Sequence, residues 1–190
     1  MDKQLLLNQY LIIRHGHSIA NEQGIIVSNP ETGISQYGLT EKGKIQVKRA
    51  AENLTVEKSL IIYSSDFLRT RETTEILSEI LKPEEVQYTP LLRERYFGFY
   101  DGLDDGQYYE IWKKDLTNEN NKINSIESPR QVSDRVESLI NFLEKKYSGK
   151  TLLLVSHGDC LQIMQTLFEN SSPSCHRSLA HLNVAEIREI

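Results

Sequence analysis

Arg14-His15-Gly16-His17-Ser18, followed by Asn21, concentrates groups that can do chemistry in one short stretch. It supplies imidazole nitrogens able to attack or ligate, a fixed positive charge and small hydrogen-bonding side chains, a set that suits an anion and a phosphate first of all. Gly16 lets the backbone turn and approach a ligand closely. A His-x-His pair alone is an ordinary surface loop, so the weight falls on what joins it. Two later segments have the same construction. Ser59-Leu-Ile-Ile-Tyr63 runs into Ser64-Ser65-Asp66, and Thr151-Leu-Leu-Leu-Val155 runs into Ser156-His157-Gly158. Each is a short apolar run ending in polar residues, as Tyr10-Leu-Ile-Ile is before Arg14, and each reads as a buried strand. In a parallel sheet the carboxyl ends of such strands converge on one edge, where open α/β folds place their ligand sites.

The elements that position these residues follow from pattern. Residues 9–14 form the first strand, and the loop to Gly38 carries turn formers and a length that suggests function. Thr40 caps a helix with Leu39 as a staple residue and an imperfect stripe of Ile45, Val47, Ala50, Ala51 and Leu54. After the second strand, Asp66 caps a helix carrying Leu68, Arg69, Thr73, Ile76, Leu77, Ile80 and Leu81, which Pro83 ends. Val86 to Leu92 is a third strand. Tyr108, Tyr109, Ile111 and Trp112 suggest a helix within 103–127, followed by a polar excursion from Asn118 to Asn124. Ser128 and Pro129 open a helix to about Tyr147 with Val132, Val136, Leu139, Ile140 and Leu143 on one face. Cys160 to Phe168 reads as a helix, and His181 to Ile187 alternates as a final antiparallel or edge strand. The alternation of strand and helix predicts an α/β, three-layer α/β/α sandwich around a mostly parallel sheet, with residues 1–190 as one domain.

Bulk properties exclude several classes. A net charge of −5 argues against nonspecific nucleic-acid binding, although a basic pocket can sit in an acidic protein. No apolar run approaches the roughly 18 residues of a membrane span. Residues 1–7, Met-Asp-Lys-Gln-Leu-Leu-Leu, do not resemble a secretory leader. Cys160 and Cys175 have neither metal-site nor disulfide spacing, which points to a reducing cytoplasm and structural thiols.

Taken in order, the motifs resemble those of the histidine phosphatase superfamily, the phosphoglycerate mutase-like proteins. Arg14-His15-Gly16-His17-Ser18 with Asn21 is similar to the family signature, and Leu39-Thr40-x-x-Gly43 to the segment after it. Ser64-Ser65-Asp66-x-x-Arg69-Thr70-x-x-Thr73 resembles the arginine motif. Leu92-Arg93-Glu94-x-x-Phe97-Gly98 resembles the acid motif, Val155-Ser156-His157-Gly158 the second-histidine motif, and Asn183 to Ile187 the closing strand. Glu72, the Glu22-Gln23-Gly24-Ile25-Ile26 loop and Phe99-Tyr100 depart from the usual pattern, away from the phosphate-handling residues.

The resemblance implies a metal-independent phosphomonoesterase for a small phosphorylated metabolite, with no cofactor, and a phosphohistidine intermediate. Residue chemistry agrees. A phosphate monoester dianion repels an anionic attacker, so a neutral imidazole, His15, suits as nucleophile. Arg14 and Arg69 neutralise phosphoryl oxygens, Asn21 adds a neutral hydrogen bond, and His157 donates, most usefully when protonated. Glu94 protonates the leaving alcohol and then takes a proton from water, which needs a raised pKa. Partners are then a phosphate ester, with neither nucleic acid nor membrane. Plainer roles stand beside these: Arg69 on a solvated helix face, Glu94 in an ion pair with Arg93 or Arg95, His17 packing beside the loop, Trp112, Tyr108 and Tyr109 in the core with a lid over the pocket as the alternative, and His176 and His181 at the surface or in a strand. The competing functions are a mutase, a phospholigand-binding module without catalysis, and a metal hydrolase with His15 and His17 as ligands. Only Arg95, Lys113, Lys114 and Lys122 are basic in 95–127, without paired arginines to hold a bisphosphate, which favours hydrolysis over the mutase.

Overall fold

The computed structural model describes residues 5–56 and 59–190. Of residues 1–7 considered above, residues 1–4 lie outside the described residues. The strands are β1 (Gln9–Arg14), β2 (Leu60–Ser64), β3 (Glu85–Tyr88), β4 (Thr151–Ser156) and β5 (Ile187–Glu189). The α-helices are α1 (Ile19–Gln23), α2 (Pro30–Gly33), α3 (Glu41–Glu52), α4 (Leu68–Leu81), α5 (Tyr108–Asp115), α6 (Pro129–Lys146) and α7 (Gly158–Phe168). The strands form one sheet in the order β3-β2-β4-β1-β5, parallel except for the β1–β5 pair.

Alternate side chains of the central strands bury on opposite faces, as a pleated sheet covered on both sides requires. Tyr10, Ile12, Ile61, Tyr63, Leu152 and Leu154 pack with Val136, Ile140 and Leu143 of α6 and Leu161 and Met164 of α7. Leu11, Ile13, Ile62, Leu153 and Val155 pack with Val47 and Ala51 of α3 and Leu77 of α4. The result is the expected three layers. β4 lies between β1 and β2 with Arg14 opposite Ser156 and Ser64 opposite Val155, so the three polar strand ends finish side by side. Two further backbone bonds carry this register past the strands: His15 N donates to Ser156 O (3.0 Å) and Ser65 N to Val155 O (3.0 Å).

Several boundaries differ from the sequence expectation for physical reasons. β3 stops at Tyr88, and Pro90–Leu92 instead forms a 3₁₀ turn capped by Thr89, whose Oγ1 accepts from Leu91 N (3.2 Å). The closing strand is only Ile187–Glu189. Ala185 takes a left-handed φ of 58°, and Asn183 N donates to the Glu186 carboxylate, so residues 183–186 turn rather than extend. Asp66 does not cap α4, whose N-cap is Phe67 without a side-chain hydrogen bond, because Arg93 holds the Asp66 carboxylate through two bonds of 2.7 and 2.6 Å. Among the described residues, no helix is long and apolar enough to cross a membrane. Cys160 and Cys175 are free, the first buried and the second half-buried.

The loop after β1 is pressed onto the start of α3. Thr40 caps that helix as expected, accepting from Gly43 N (3.1 Å) and donating to His17 O (3.1 Å). Gly16 is small for packing rather than for ligand access, since a Cβ there would lie 2.6 Å from Gly43 O. A Cβ on Gly43 would in turn lie 2.1 Å from His17 O, and both atoms are backbone. Gly43→Ala is therefore expected to lower unfolding stability by about 1–3 kcal/mol in chemical denaturation. A midpoint equal to that of the unsubstituted protein would show that the loop is not held this way.

Candidate active site

The strand ends place His15, Ser65 and His157 together, and α4 brings Arg69 across them from its first turn. His15 is almost fully buried, and its Nδ1 lies 2.8 Å from Gly16 O. Only an Nδ1–H can pair with a carbonyl, so this contact fixes the neutral tautomer and leaves the lone pair on Nε2. Arg69 Nε lies 3.1 Å from that Nε2 and equally 3.1 Å from His157 Nδ1. One N–H thus serves two imidazoles whose ring centres are 5.2 Å apart. Arg69 Nη2 donates to Val27 O (2.9 Å), while Nη1 is buried with no hydrogen-bond partner among the described residues. Arg14 is similar: Nη1 donates to His181 Nε2 (3.0 Å) and Leu182 O (3.2 Å), and its buried Nε has no partner among the described residues.

Burial, then the Arg69 and Arg14 charges, push the His15 pKa well below its ordinary value. Burial, Arg69 and His15 do the same to His157. The protonated His157 expected from sequence is therefore not the state of the free site. Its Nδ1 accepts from Arg69, which places the proton on Nε2, 2.9 Å from Ser65 Oγ. Burial also lowers Arg69 to about 10.

Glu94 is in neither of the ion pairs considered for it. Arg93 is taken by Asp66, and Arg95 by Asp115 through bonds of 2.5 and 3.0 Å. Glu94 Oε1 instead accepts from the backbone N–H groups of Arg95 (2.9 Å) and Cys160 (3.1 Å), the latter in the first turn of α7. Burial and the Asp159 charge nevertheless raise its pKa, outweighing Arg69 and those two bonds. Burial opposes ionisation of Asp159 as well, but His176, Arg95, the Trp112 N–H and Arg177 hold it below its usual range. Two neighbouring carboxyls are thus driven in opposite directions, the arrangement that assigns one as a proton donor.

A cavity of about 180 Å³ is lined by Arg14, His15, Asn21, Arg69 and Glu94, all named from the sequence. His157 is fully buried behind Arg69 and is joined to the cavity through it. Asn21 is the third residue of α1 and completes a capping box with Ser18, its Oδ1 accepting from Ser18 N (3.1 Å) and so leaving Nδ2 to donate. His17 is elsewhere: its Nδ1 meets Thr40 Oγ1 (3.0 Å) at the start of α3, and it does not line the cavity.

The cavity has further walls. Tyr108 and Trp112, for which the sequence leaves a lid over the pocket open, line it, and so do Asp159, Arg177 and His181, which sequence reasoning misses. Tyr108 and Trp112 stack with centres 5.1 Å apart, while Tyr109 faces solvent. His181 is in no strand and holds Arg14, and His176 is fully buried, its Nε2 4.0 Å from both Asp115 and Asp159. The i, i+4 spacing of Tyr108 and Trp112 is the one local signal; Arg177 and His181 lie in irregular segments without a period, and Asp159, in the first turn of α7, directly follows the second-histidine motif without belonging to it. Glu72, the departure within the arginine motif, accepts from Leu39 N (2.5 Å) and is structural.

A family model of the histidine phosphatase superfamily (branch 1) matches residues 10–190. A metal-independent phosphoserine phosphatase of Arabidopsis thaliana is 24% identical, over 96% of this chain and 78% of that protein. A probable phosphoglycerate mutase GpmB of Enterobacter sp. (strain 638) is 31% identical, over 80% of this chain and 71% of that one. The solved structure of a mycobacterial glucosyl-3-phosphoglycerate phosphatase with VO3 has the same fold, with a TM-score of 0.79 at 23% identity, covering 94% of this chain and 88% of that one.

The tautomer and pKa of His15 are directly testable. Its folded pKa lies below the unfolded value, so the unfolded chain takes up protons first on acidification. Stability therefore falls as pH drops through about 6.5 toward the folded pKa, and rises with pH across that window. Histidine 15N–1H spectra are expected to show His15 as the Nδ1–H tautomer with no titration near pH 6.5. An ordinary titration there would refute the neutral, buried imidazole.

Proposed function

Since the chain belongs to the histidine phosphatase superfamily, we propose that it is a metal-independent phosphomonoesterase, acting as one domain over residues 1–190 on a small phosphorylated metabolite through a phosphohistidine at His15. The observation that carries this reading is the neutral His15 Nε2 set in a cavity beside unpaired guanidinium donors of Arg14 and Arg69. A phosphoryl group entering the cavity meets Arg69 Nη1 and Arg14 Nε, which have no other partner. It draws Arg69 toward its oxygens and releases the Nε2 lone pair that Arg69 Nε covers. Nε2 then bonds to phosphorus as the bond from phosphorus to the ester oxygen breaks. Glu94, kept protonated by its surroundings, passes its proton to the departing alkoxide. In the second half a water attacks phosphohistidine, its proton goes to the Glu94 carboxylate, and inorganic phosphate leaves. A bound phosphate dianion favours a proton on His157, turning it from acceptor to donor. Free thiols at Cys160 and Cys175 are in keeping with a cytoplasmic setting.

A second reading, the mutase, is favoured by the name of the GpmB relative. Holding a bisphosphate requires further free cations over the cavity. Arg95 is spent on Asp115 and Lys122 lines the adjoining groove, which leaves Arg177, among the described residues, as a single further guanidinium in the cavity wall where a bisphosphate calls for a pair, so hydrolysis is the better fit. Phosphate release measured against isomerisation of 3-phosphoglycerate separates the two.

In a metabolite screen, His15→Ala is expected to lose phosphate release by at least about 10³-fold. Turnover unchanged by that substitution would remove the catalytic reading. Glu94→Gln is expected to slow alkyl phosphates by about 10²–10⁴-fold and p-nitrophenyl phosphate much less, because nitrophenolate leaves without a proton. Equal losses on both would show that Glu94 is not the acid. With Glu94 as acid, the phosphorylation rate falls on the alkaline side of its raised pKa.

A further inference from the structure

One guanidinium in the cavity wall is not used by the phosphoryl chemistry. Arg177 lies with its Cζ 3.7 Å over the Trp112 ring, and its Nη1 donates to Gln162 Oε1. Gln162 is buried, and its own Nε2 donates to His176 O (3.3 Å) and Leu179 O (3.2 Å), which fixes its oxygen toward Arg177. Trp112 is fixed in turn by Nε1–H bonds of 3.1 and 2.9 Å to Asp159. The side chain is only 24% exposed, and its Nε and Nη2 make no hydrogen bond among the described residues. Asp159, 3.9 Å from Nη1, is shared with Arg95 and Trp112 and does not satisfy those donors. A long cationic side chain held this firmly has already lost its rotamer freedom, so a ligand pays little to engage it. Its two free donors form the planar fork that matches a carboxylate.

We propose that Arg177, stacked on Trp112, is a specificity-determining residue that binds a carboxylate on the alcohol part of the substrate, so that the enzyme prefers phosphorylated hydroxy acids. This rests on the phosphatase reading above. Arg14 and Arg69 already serve the phosphoryl group, and about 180 Å³ accommodates a phosphoryl group with a few further atoms rather than a nucleotide. A different place for the leaving group exists. Glu94 also lines a groove of about 620 Å³ with Tyr96, Lys122, Glu127 and Arg135. There Arg93 and Arg135 are paired with Asp66 and Glu127, which leaves Lys122 as the rival cation.

The test has a kinetic and a binding arm. Phosphoglycolate and O-phosphoserine are compared with ethyl phosphate and phosphoethanolamine, and with p-nitrophenyl phosphate as a substrate without a carboxylate. Arg177→Met is expected to lower kcat/KM for the carboxylated esters roughly 10- to 100-fold, mainly through KM, with p-nitrophenyl phosphate changed by no more than about threefold and Arg177→Lys restoring part of the loss. Lys122→Met is expected to leave selectivity intact. In the His15→Ala protein, calorimetry is expected to show phosphoglycolate binding about tenfold tighter than ethyl phosphate, an advantage that vanishes when Arg177→Met is added. Uniform loss over all esters, selectivity lost with Lys122→Met instead, or equal binding of phosphoglycolate and ethyl phosphate would overturn the proposal. Wild-type protein that turns over no ester, p-nitrophenyl phosphate included, would overturn the phosphatase reading alone, because the binding arm still judges Arg177.

Discussion

The site depends on a buried arginine that is not in a direct ion pair among the described residues. Arg69 is 3% exposed and spends its donors on two imidazole nitrogens and one carbonyl, and among those residues one of its nitrogens is unpaired. Burial disfavours the guanidinium charge and lowers Arg69 to about 10. Burial, and after it the Arg69 charge, keeps His15 and His157 neutral. An anion entering the cavity relieves all of this at once, so the free protein is built for the state in which a phosphate is bound. The parallel register of β1, β4 and β2 makes the arrangement possible, because it brings both histidines to one edge beneath the first turn of α4.

A second polar network is separate from the first in its chemistry and joined to it in space. Arg95 is fully buried and forks onto Asp115, which also accepts from Asn121 (2.9 Å), while Asp159 takes the Trp112 N–H and a longer contact from Arg95 (3.4 Å). This network ties α5 and the start of α7 together. It also holds Asp159 below its usual range beside Glu94, and that charge adds to burial in raising the Glu94 pKa.

The legible part of the protein is the part that repeats or ends a regular element. The strands around Ile12, Ile62 and Leu153 stand out because a sheet covered on both faces leaves unbroken apolar runs, and their polar ends mark the edge where Arg14, His15 and His157 meet. Arg69 was readable through its spacing after Ser65-Asp66, and Glu94 through the acid motif. Local rules failed where a distant partner intervened, as at Asp66, which serves Arg93 instead of capping α4. They failed also where short irregular segments line the cavity. Arg177 and His181 belong to a stretch of 3₁₀ turn and coil, and nothing in the local pattern places that stretch beside Trp112. The length of β5 was misjudged because alternation says nothing of the left-handed turn at Ala185.

The central claim is that His15 Nε2 receives the phosphoryl group. The most direct measurement is rapid mixing with a phosphate monoester labelled in the phosphoryl group, an alkaline quench that preserves phosphohistidine, and mapping of the label by mass spectrometry. The account predicts an acid-labile, alkali-stable phosphoryl group on His15, formed within the first turnover and decaying as inorganic phosphate appears. A label on any other residue, or phosphate released at full rate with no labelled enzyme formed, would contradict it.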